Sequence, residues 1–423
     1  MDEAKLKIEE VMKRVYEPNR LMAAWQRVKE NAGSAGIDEM TVDEFAKDGL
    51  RLMRIIYGKL KDGTYRFKPA RRVLIPKPGT NKKRKLGIPI IMDRIVSTSI
   101  STVLMEIFDQ TFSSSNFGFR KGKSQHDAIL HVKEIVNEGY EECVSIDLKS
   151  FFDEIPHGQI LKLLRRKIKD ETFITLIARH LKAGIIVDGK LVKSDKGCPQ
   201  GAPASPIISN VILNELDQEL EKRGHRFCRW ADDFIILVKS ERSATRVMEN
   251  TIRYLENVLE LPVNKEKSKT GNIRKMVFLG FSILTGKIRI STQAKKTFKE
   301  KVKRLTRRNN PLSMYQIIKE LNQFLRGWVN YFKIQEFKRP LEELDWYIRS
   351  RLRSMQLKKW KKPKRFQHEM RKAGMDADES KRIWVKMDKW QSAHRDVVKF
   401  TLNLEWFRRY GLITLKDYNL AKS

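Results

Sequence analysis

The chain has 423 residues, enough for two or three domains with a sizeable core, and its 86 Lys plus Arg against 52 Asp plus Glu give a net charge of +34. A charge of that size calls for a polyanionic partner, nucleic acid first; a membrane-surface role is weakened because the basic residues are spread along the whole chain and no lipidation signal is present. The charged start Met1-Asp2-Glu3-Ala4-Lys5 lacks the apolar stretch of a secretory signal, no apolar run approaches the roughly 20 residues that span a bilayer, and Cys143, Cys198 and Cys228 have neither zinc-knuckle nor disulfide spacing, which suits a reducing cytosol.

Residues 1 to about 70 read as helices, with Leu21, Trp25 and Val28 on one apolar face and a loop from Asn31 to Asp38. Arg71 to Gly79 and Lys82 to Pro89 read as two short strands around a cation-rich turn. Such a hairpin is either a solvated edge that discourages sheet pairing or a clamp for a triphosphate. A helical pattern from Asp93 to Glu106 leads to Ser113-Ser114-Ser115-Asn116-Phe117-Gly118-Phe119-Arg120, and His126 and Asp127 open a helix to about Glu138. The run Cys143-Val144-Ser145-Ile146-Asp147 is a strand ending in a carboxylate, followed by Phe151, Phe152 and Asp153. Residues 160 to 183 form a basic helical region. Gly197 to Pro206 is a loop feeding a helix from about Ile207 to Arg223, with Ser205 placed to cap it.

Phe227 to Val238 carries apolar, β-prone residues on both sides of Asp232-Asp233, as two strands meeting at a tight turn whose tip bears the acids. An isolated Asp pair is an ordinary polar turn. Two adjacent anions at the rim of an apolar sheet nevertheless repel and are costly to desolvate, so they invite a divalent cation. With Asp147 ending a second strand, the three carboxylates suit a pair of Mg²⁺ ions about 4 Å apart, as in two-metal nucleotidyl transfer. A helix from about Ser243 to Leu259 follows, then Leu261 to Ser268 and Val277-Phe278-Leu279-Gly280-Phe281. From residue 282 onward 36 Lys plus Arg face 14 Asp plus Glu, so +22 of the +34 lies in the last third. That third is helical in pattern, and Phe324, Trp328 and Tyr331 at helical spacing read mainly as core.

Several of these stretches together resemble the group II intron-encoded reverse transcriptases (maturases). Phe227 to Val238 is similar to their catalytic hairpin, Asp147 to Asp153 to the segment with the first catalytic Asp, and Pro199-Gln200-Gly201-Ala202-Pro203-Ala204-Ser205-Pro206 to their Pro-Gln-Gly block. Phe117-Gly118-Phe119-Arg120 and Arg326-Gly327-Trp328-Val329-Asn330-Tyr331-Phe332 also match. Trp230 replaces a Tyr or Phe, and Ala202 and Ala204 replace a usual Gly and Leu.

The resemblance implies an α+β right-hand polymerase. Fingers and palm, with an antiparallel palm sheet plus helices, would occupy 1–285; a helical thumb (X domain), 286–358; and a basic C-terminal DNA-binding region, 359–423, of the type without the paired Cys and His of an endonuclease. It implies that Asp147, Asp232 and Asp233 bind two Mg²⁺ ions, with Mn²⁺ as a substitute, and that Lys77 and Arg84 hold the triphosphate. Arg120 would contact template or incoming nucleotide. Phe151, with Phe152 as the alternate, would exclude a 2′-hydroxyl; Gln200 would lie against the templating pair; and Lys267 would protonate pyrophosphate. Trp230, Gly280 in a primer-grip hairpin and Gly36 in a loop closing over the template would touch primer or template.

The implied activity is RNA-directed DNA polymerisation in the bacterial cytosol or at the nucleoid. The implied partners are template and intron RNA, a DNA primer or target and dNTPs, with no membrane. A host-adopted relative in DNA repair or phage defence, and a splicing cofactor that no longer polymerises, are the alternatives.

Overall fold

The computed structural model describes residues 8–76, 83–360, 362–385 and 391–420. The chain divides into two compact units, residues 1–278 and 279–423. That division falls before the Val277–Phe281 stretch ends, so most of the hairpin expected at the edge of the first domain belongs to the second unit.

In the first unit the N-terminal helices Val11–Tyr16, Pro18–Glu30, Val42–Lys47 and Gly49–Lys61 bury the apolar face expected from Leu21, Trp25 and Val28. Trp25 packs on Phe45 with ring centroids 4.6 Å apart. Thr41 and Glu44 close a capping box at the Val42 helix, satisfying two N-terminal amides reciprocally. The helix expected over 93–106 runs Ile91–Phe108 and is buried on most of its circumference, because other helices of the unit pack around it.

Four strands form the central sheet: β3 (Glu142–Ile146), β6 (Arg226–Trp230), β7 (Asp233–Val238) and β8 (Lys269–Asn272), in the order β6-β7-β3-β8, all antiparallel. The register pairs Ile146 with Phe234 and Trp230 with Asp233. The Gln125–Asn137, Ser205–Lys222 and Glu241–Asn257 helices contribute to the cover of this sheet.

A second sheet has the order β2-β1-β4-β5, from β1 (Ala70–Pro76), β2 (Lys83–Ile88), β4 (Ile185–Val187) and β5 (Lys190–Val192). The β1–β2 hairpin is the expected one. The β4–β5 hairpin was not foreseen; its two-residue turn, Asp188-Gly189, has φ of 49° and 77°, the doubly left-handed turn that matches strand twist. β4 pairs in parallel with β1, at Ala70↔Ile185. The basic region over 160–183 is two helices, His157–Lys167 and Glu171–Leu181, whose apolar faces are buried.

The second unit holds the hairpin β9 (Phe281–Leu284) and β10 (Lys287–Ile290) and a set of helices led by Thr292–Leu305, Met314–Phe332 and Arg339–Lys359. Leu321, Leu325, Val329 and Phe332 supply the buried stripe of the Met314 helix. Phe324, Trp328 and Tyr331, expected there, are only half-buried at its margin. The rings of Phe324 and Trp328 lie 5.4 and 4.5 Å from that of buried Phe298. No helix among the described residues is long and apolar enough to cross a membrane.

Candidate active site

Asp147 follows the last residue of β3, and Asp233 opens β7, the neighbouring strand; Asp232 lies in the turn that joins β6 to β7. The turn is Ala231-Asp232, with Ala231 left-handed at φ 56°. Only Asp232 therefore sits at the tip, while Asp233 already belongs to the ladder. Asp232 is half-buried and Asp233 exposed.

The exit from β3 is strapped by the segment that follows the Glu241–Asn257 helix. The Asn264 amide donates to the Asp147 carbonyl at 2.7 Å, the Lys149 amide to the Pro262 carbonyl at 2.9 Å, and the Asp147 amide to Ser268 Oγ at 3.1 Å. Lys267 Nζ stands 3.5 Å from Asp147 Oδ2. Carboxylate oxygens on adjoining strand ends are the donor chemistry that a hard divalent cation takes, and the ammonium beside Asp147 shows that this carboxylate already draws a cation. No three His, Cys, Asp or Glu side chains among the described residues converge into one metal-holding group. The set thus fits in donor type and in register.

Beneath the turn lies a network that sequence reasoning passed over. The Arg229 side chain is completely buried. Its Nε donates to Asp217 Oδ1 at 2.7 Å, and one terminal nitrogen donates to Asn210 Oδ1 at 2.9 Å and to the Ala231 carbonyl at 3.0 Å. Asn210 in turn donates to the Gly118 carbonyl at 2.8 Å. Arg229 also exchanges main-chain bonds with Ser115 and Phe117, both 2.9 Å. A Cβ on Gly118 would stand 2.2 Å from the Ala231 nitrogen. The only prior signal was an Arg flanked by Cys228 and Trp230 within the strand, three residues before Asp232.

This docking corrects the expectation for Arg120. Its side chain is 10% exposed and is consumed inside the protein, by Asp109 Oδ1 at 2.7 Å and the carbonyls of Asp109, Ser113 and Asn116 at 3.0, 2.7 and 3.1 Å. A loop that turns this sharply strands carbonyls, and the guanidinium satisfies them. Phe119, left-handed at φ 57°, is the exposed member of the block.

Phe151 is likewise a core ring, 3% exposed, whereas Phe152 is half-buried. Gln200 Nε2 donates to Asp153 Oδ1 at 3.2 Å. Ser205 does not cap its helix: it is the first helical residue, and its hydroxyl donates back to the Pro199 carbonyl at 2.8 Å. A cleft of about 360 Å³ is lined by Ser150, Asp153 and Gln200 and by three cations not singled out before, Arg72, Lys85 and Lys196. Arg72 Nε is buried there with no hydrogen-bond partner among the described residues.

Arg84 lies exposed on β2, opposite Ile75. Lys77 lies outside the described residues. Trp230 is half-buried at the end of β6, opposite Asp233. Gly36 is buried, and a Cβ there would lie 2.7 Å from the Ile90 Cα, so its bareness serves internal docking rather than close approach to a template. That loop is pinned by Arg71 to the Ala35 carbonyl at 2.8 Å and by Arg94 to the Ser34 carbonyl. Gly280 belongs to the second unit, where its φ of 80° and the Phe332 ring, 3.4 Å from the position of a Cβ, account for it. The three thiols are buried; burial pushes Cys143 and Cys198 up to about 12, and Cys228 also up, so none is a nucleophile at neutral pH.

Residues 75–283 match the reverse transcriptase (RNA-dependent DNA polymerase) family and residues 295–374 the group II intron maturase-specific domain. Protein YkfC of Escherichia coli (strain K12) is 30% identical over 323 residues, covering 66% of this chain and 84% of that protein. The group II intron-encoded protein LtrA of Lactococcus lactis subsp. cremoris is 28% identical over 363 residues, covering 68% of this chain and 60% of that protein. The putative COX1/OXI3 intron 1 protein of Saccharomyces cerevisiae is 28% identical over 361 residues, covering 71% and 42%. Among solved structures, truncated apo telomerase from Candida tropicalis overlaps at a TM-score of 0.43 with 15% identity, over 53% of this chain and 55% of that one; the assignment rests on the sequence matches instead. Two family matches in order along one chain, and a relative matched over most of its own length, make this protein a member of the group II intron reverse transcriptase/maturase family, an RNA-directed DNA polymerase by class.

Proposed function

We propose that the protein extends a DNA primer along an RNA template with dNTPs, and that its cognate RNA is a group II intron whose splicing and mobility it assists, in the cytosol or at the nucleoid. The observation that carries the polymerase reading is the meeting of Asp147 and Asp233 at adjoining strand ends beside Asp232. The maturase-specific match and the relative named as intron-encoded support the intron reading. In this reading the first unit is fingers and palm, and thumb and DNA-binding region follow from about 286 and 359.

Asp147, Asp232 and Asp233 would hold two Mg²⁺ ions, which supply charge neutralisation at the primer 3′-oxygen and at the leaving pyrophosphate. Arg84, exposed on β2, binds the triphosphate, with Lys77 as the second cation the resemblance implies. Lys267 holds a proton at Nζ, 3.5 Å from Asp147 Oδ2, ready for the departing pyrophosphate. Phe152 excludes a ribose 2′-hydroxyl, and Gln200 lines the nucleotide cleft.

Primer extension on an RNA template with dNTPs and Mg²⁺ tests this, comparing wild type with Asp232→Ala and Asp233→Ala. Long cDNA is expected from wild type and none from either variant. A wild type that binds RNA tightly and extends nothing would replace the polymerase reading with that of a splicing cofactor.

A further inference from the structure

The segment that follows Asp147 and the loop that carries Gln200 are stitched together along their length by contacts between residues 38 to 47 positions apart in sequence. The Cys198 amide donates to the Phe152 carbonyl at 2.7 Å, and the Gly197 amide to the Ile155 carbonyl at 2.7 Å. Pro156 and Lys196 form an isolated antiparallel bridge, and the His157 amide donates to the Asp195 carbonyl at 3.2 Å. At the far end Gln200 Nε2 reaches Asp153 Oδ1 at 3.2 Å.

One side chain anchors this seam from below. His157 is 4% exposed, and its Nε2 lies 2.7 Å from the Gly197 carbonyl oxygen. A carbonyl only accepts, so Nε2 carries the hydrogen. His157 Nδ1 is buried with no partner among the described residues. An apolar residue in this place would spare that buried nitrogen, so packing alone gives no reason for an imidazole here. What the imidazole supplies is a rigid donor aimed at the carbonyl just before Cys198, whose amide is held by Phe152.

We infer that His157 is a positioning residue for nucleotide selection: through Gly197 it locks the Gln200 loop to the backbone of Phe152, so that the ring under the sugar and the amide beside the cleft move as one piece. The inference rests on the polymerase reading of the cleft. Asp153 completes the same unit from the solvent side by fixing which way the Gln200 amide faces. Its carboxylate takes the NH₂ end and leaves Oε1 for a hydroxyl of the incoming nucleotide.

The test compares His157→Leu, His157→Gln and Asp153→Ala for dNTP KM, kcat and dNTP-over-rNTP preference, with thermal unfolding and hydrogen exchange of the 195–201 amides alongside. His157→Leu is expected to raise dNTP KM and to lower the dNTP preference about tenfold each, the scale of one lost buried hydrogen bond. The amides of Gly197 and Cys198 should then exchange faster. His157→Gln, which keeps a donor at similar reach, should restore most of both. Unchanged KM, preference and exchange in His157→Leu, with only a lower unfolding temperature, would reduce His157 to packing and overturn the inference. Should His157→Leu not fold, exposed Asp153→Ala, which removes the acceptor, decides: a raised dNTP KM at unchanged stability supports the clasp, and wild-type kinetics overturn it. An inactive wild type would refute the polymerase reading, while the exchange data would still decide whether His157 holds the loop.

Discussion

Arg229 and Asp217 form a fully buried ion pair, Nε to Oδ1 at 2.7 Å, directly under the turn that presents Asp232. The pair ties the Ser205–Lys222 helix to β6, and the same guanidinium holds the Ala231 carbonyl. Removing one partner strands the other charge in the core. Arg229→Met should therefore cost about 3–5 kcal/mol in urea unfolding, and Arg229→Met with Asp217→Leu should recover much of it. Equal losses in the single and double variants would show that the pair is not what stabilises this corner.

Gly118 passes so close to Ala231 that any side chain there must push the Ala231-Asp232 turn. Gly118→Ala should slow single-turnover incorporation about 100-fold, the scale of an ångström's misplacement, while RNA affinity stays near wild type. Normal incorporation would mean that the turn yields without consequence.

The two adjacent phenylalanines should separate cleanly. Phe152→Ala should admit ribonucleotides at least about tenfold more readily. Phe151→Ala should leave nucleotide choice alone and cost about 3–5 kcal/mol of stability, as for a buried ring. The reverse pattern would restore Phe151 as the sugar-facing residue.

Stability should depend on pH through Asp93. Burial pushes this carboxyl up to about 7, although the Tyr65 hydroxyl and the Lys68 amide both donate to it, at 2.7 and 2.8 Å. The unfolded carboxyl titrates near 4, so the folded state keeps a proton that the unfolded chain loses between those values. The contribution is full below about pH 4 and is lost as pH rises to about 7. Urea unfolding at pH 5 and pH 8 should show a larger loss in wild type than in Asp93→Asn. Asp345, pushed up to about 6 by burial, adds to the slope in the same sense and stays in the variant.

Nucleic-acid affinity should fall steeply with salt, log affinity against log salt sloping at about 0.7–0.9 per phosphate contact. Lys295, Lys296, Lys299 and Lys303 line one side of the Thr292–Leu305 helix around a groove, and changing all four to Gln should flatten that slope. A slope unaltered by the fourfold change would move the footprint elsewhere.

Much of the polymerase unit was legible because its elements are marked locally. Apolar runs ending in carboxylates named the ends of β3 and β6–β7, and the apolar spacing of Leu21, Trp25 and Val28 named a buried face. The Asp188-Gly189 turn carried a hairpin signal that went unread, since its flanking strands are only three residues long. What sequence could not reveal is where long-range partners fall. Arg120 looks like a ligand-reaching cation until the carbonyls of its own loop are seen around it. Phe151 and Phe152 are chemically identical, and only packing decides which ring is spent on the core. Arg229 finds its partners on the Ser205 helix and in the loop before Gly118, contacts that no periodicity announces.

The burial of all three thiols has a practical side. With Cys143 and Cys198 pushed to about 12 and no cysteine at the surface, the native chain offers reagents almost nothing to react with. A single cysteine introduced at an exposed position such as Val258, 51% accessible, would then be the one reactive thiol on the molecule. A fluorophore or spin label could report on the enzyme at work without a native cysteine first being removed.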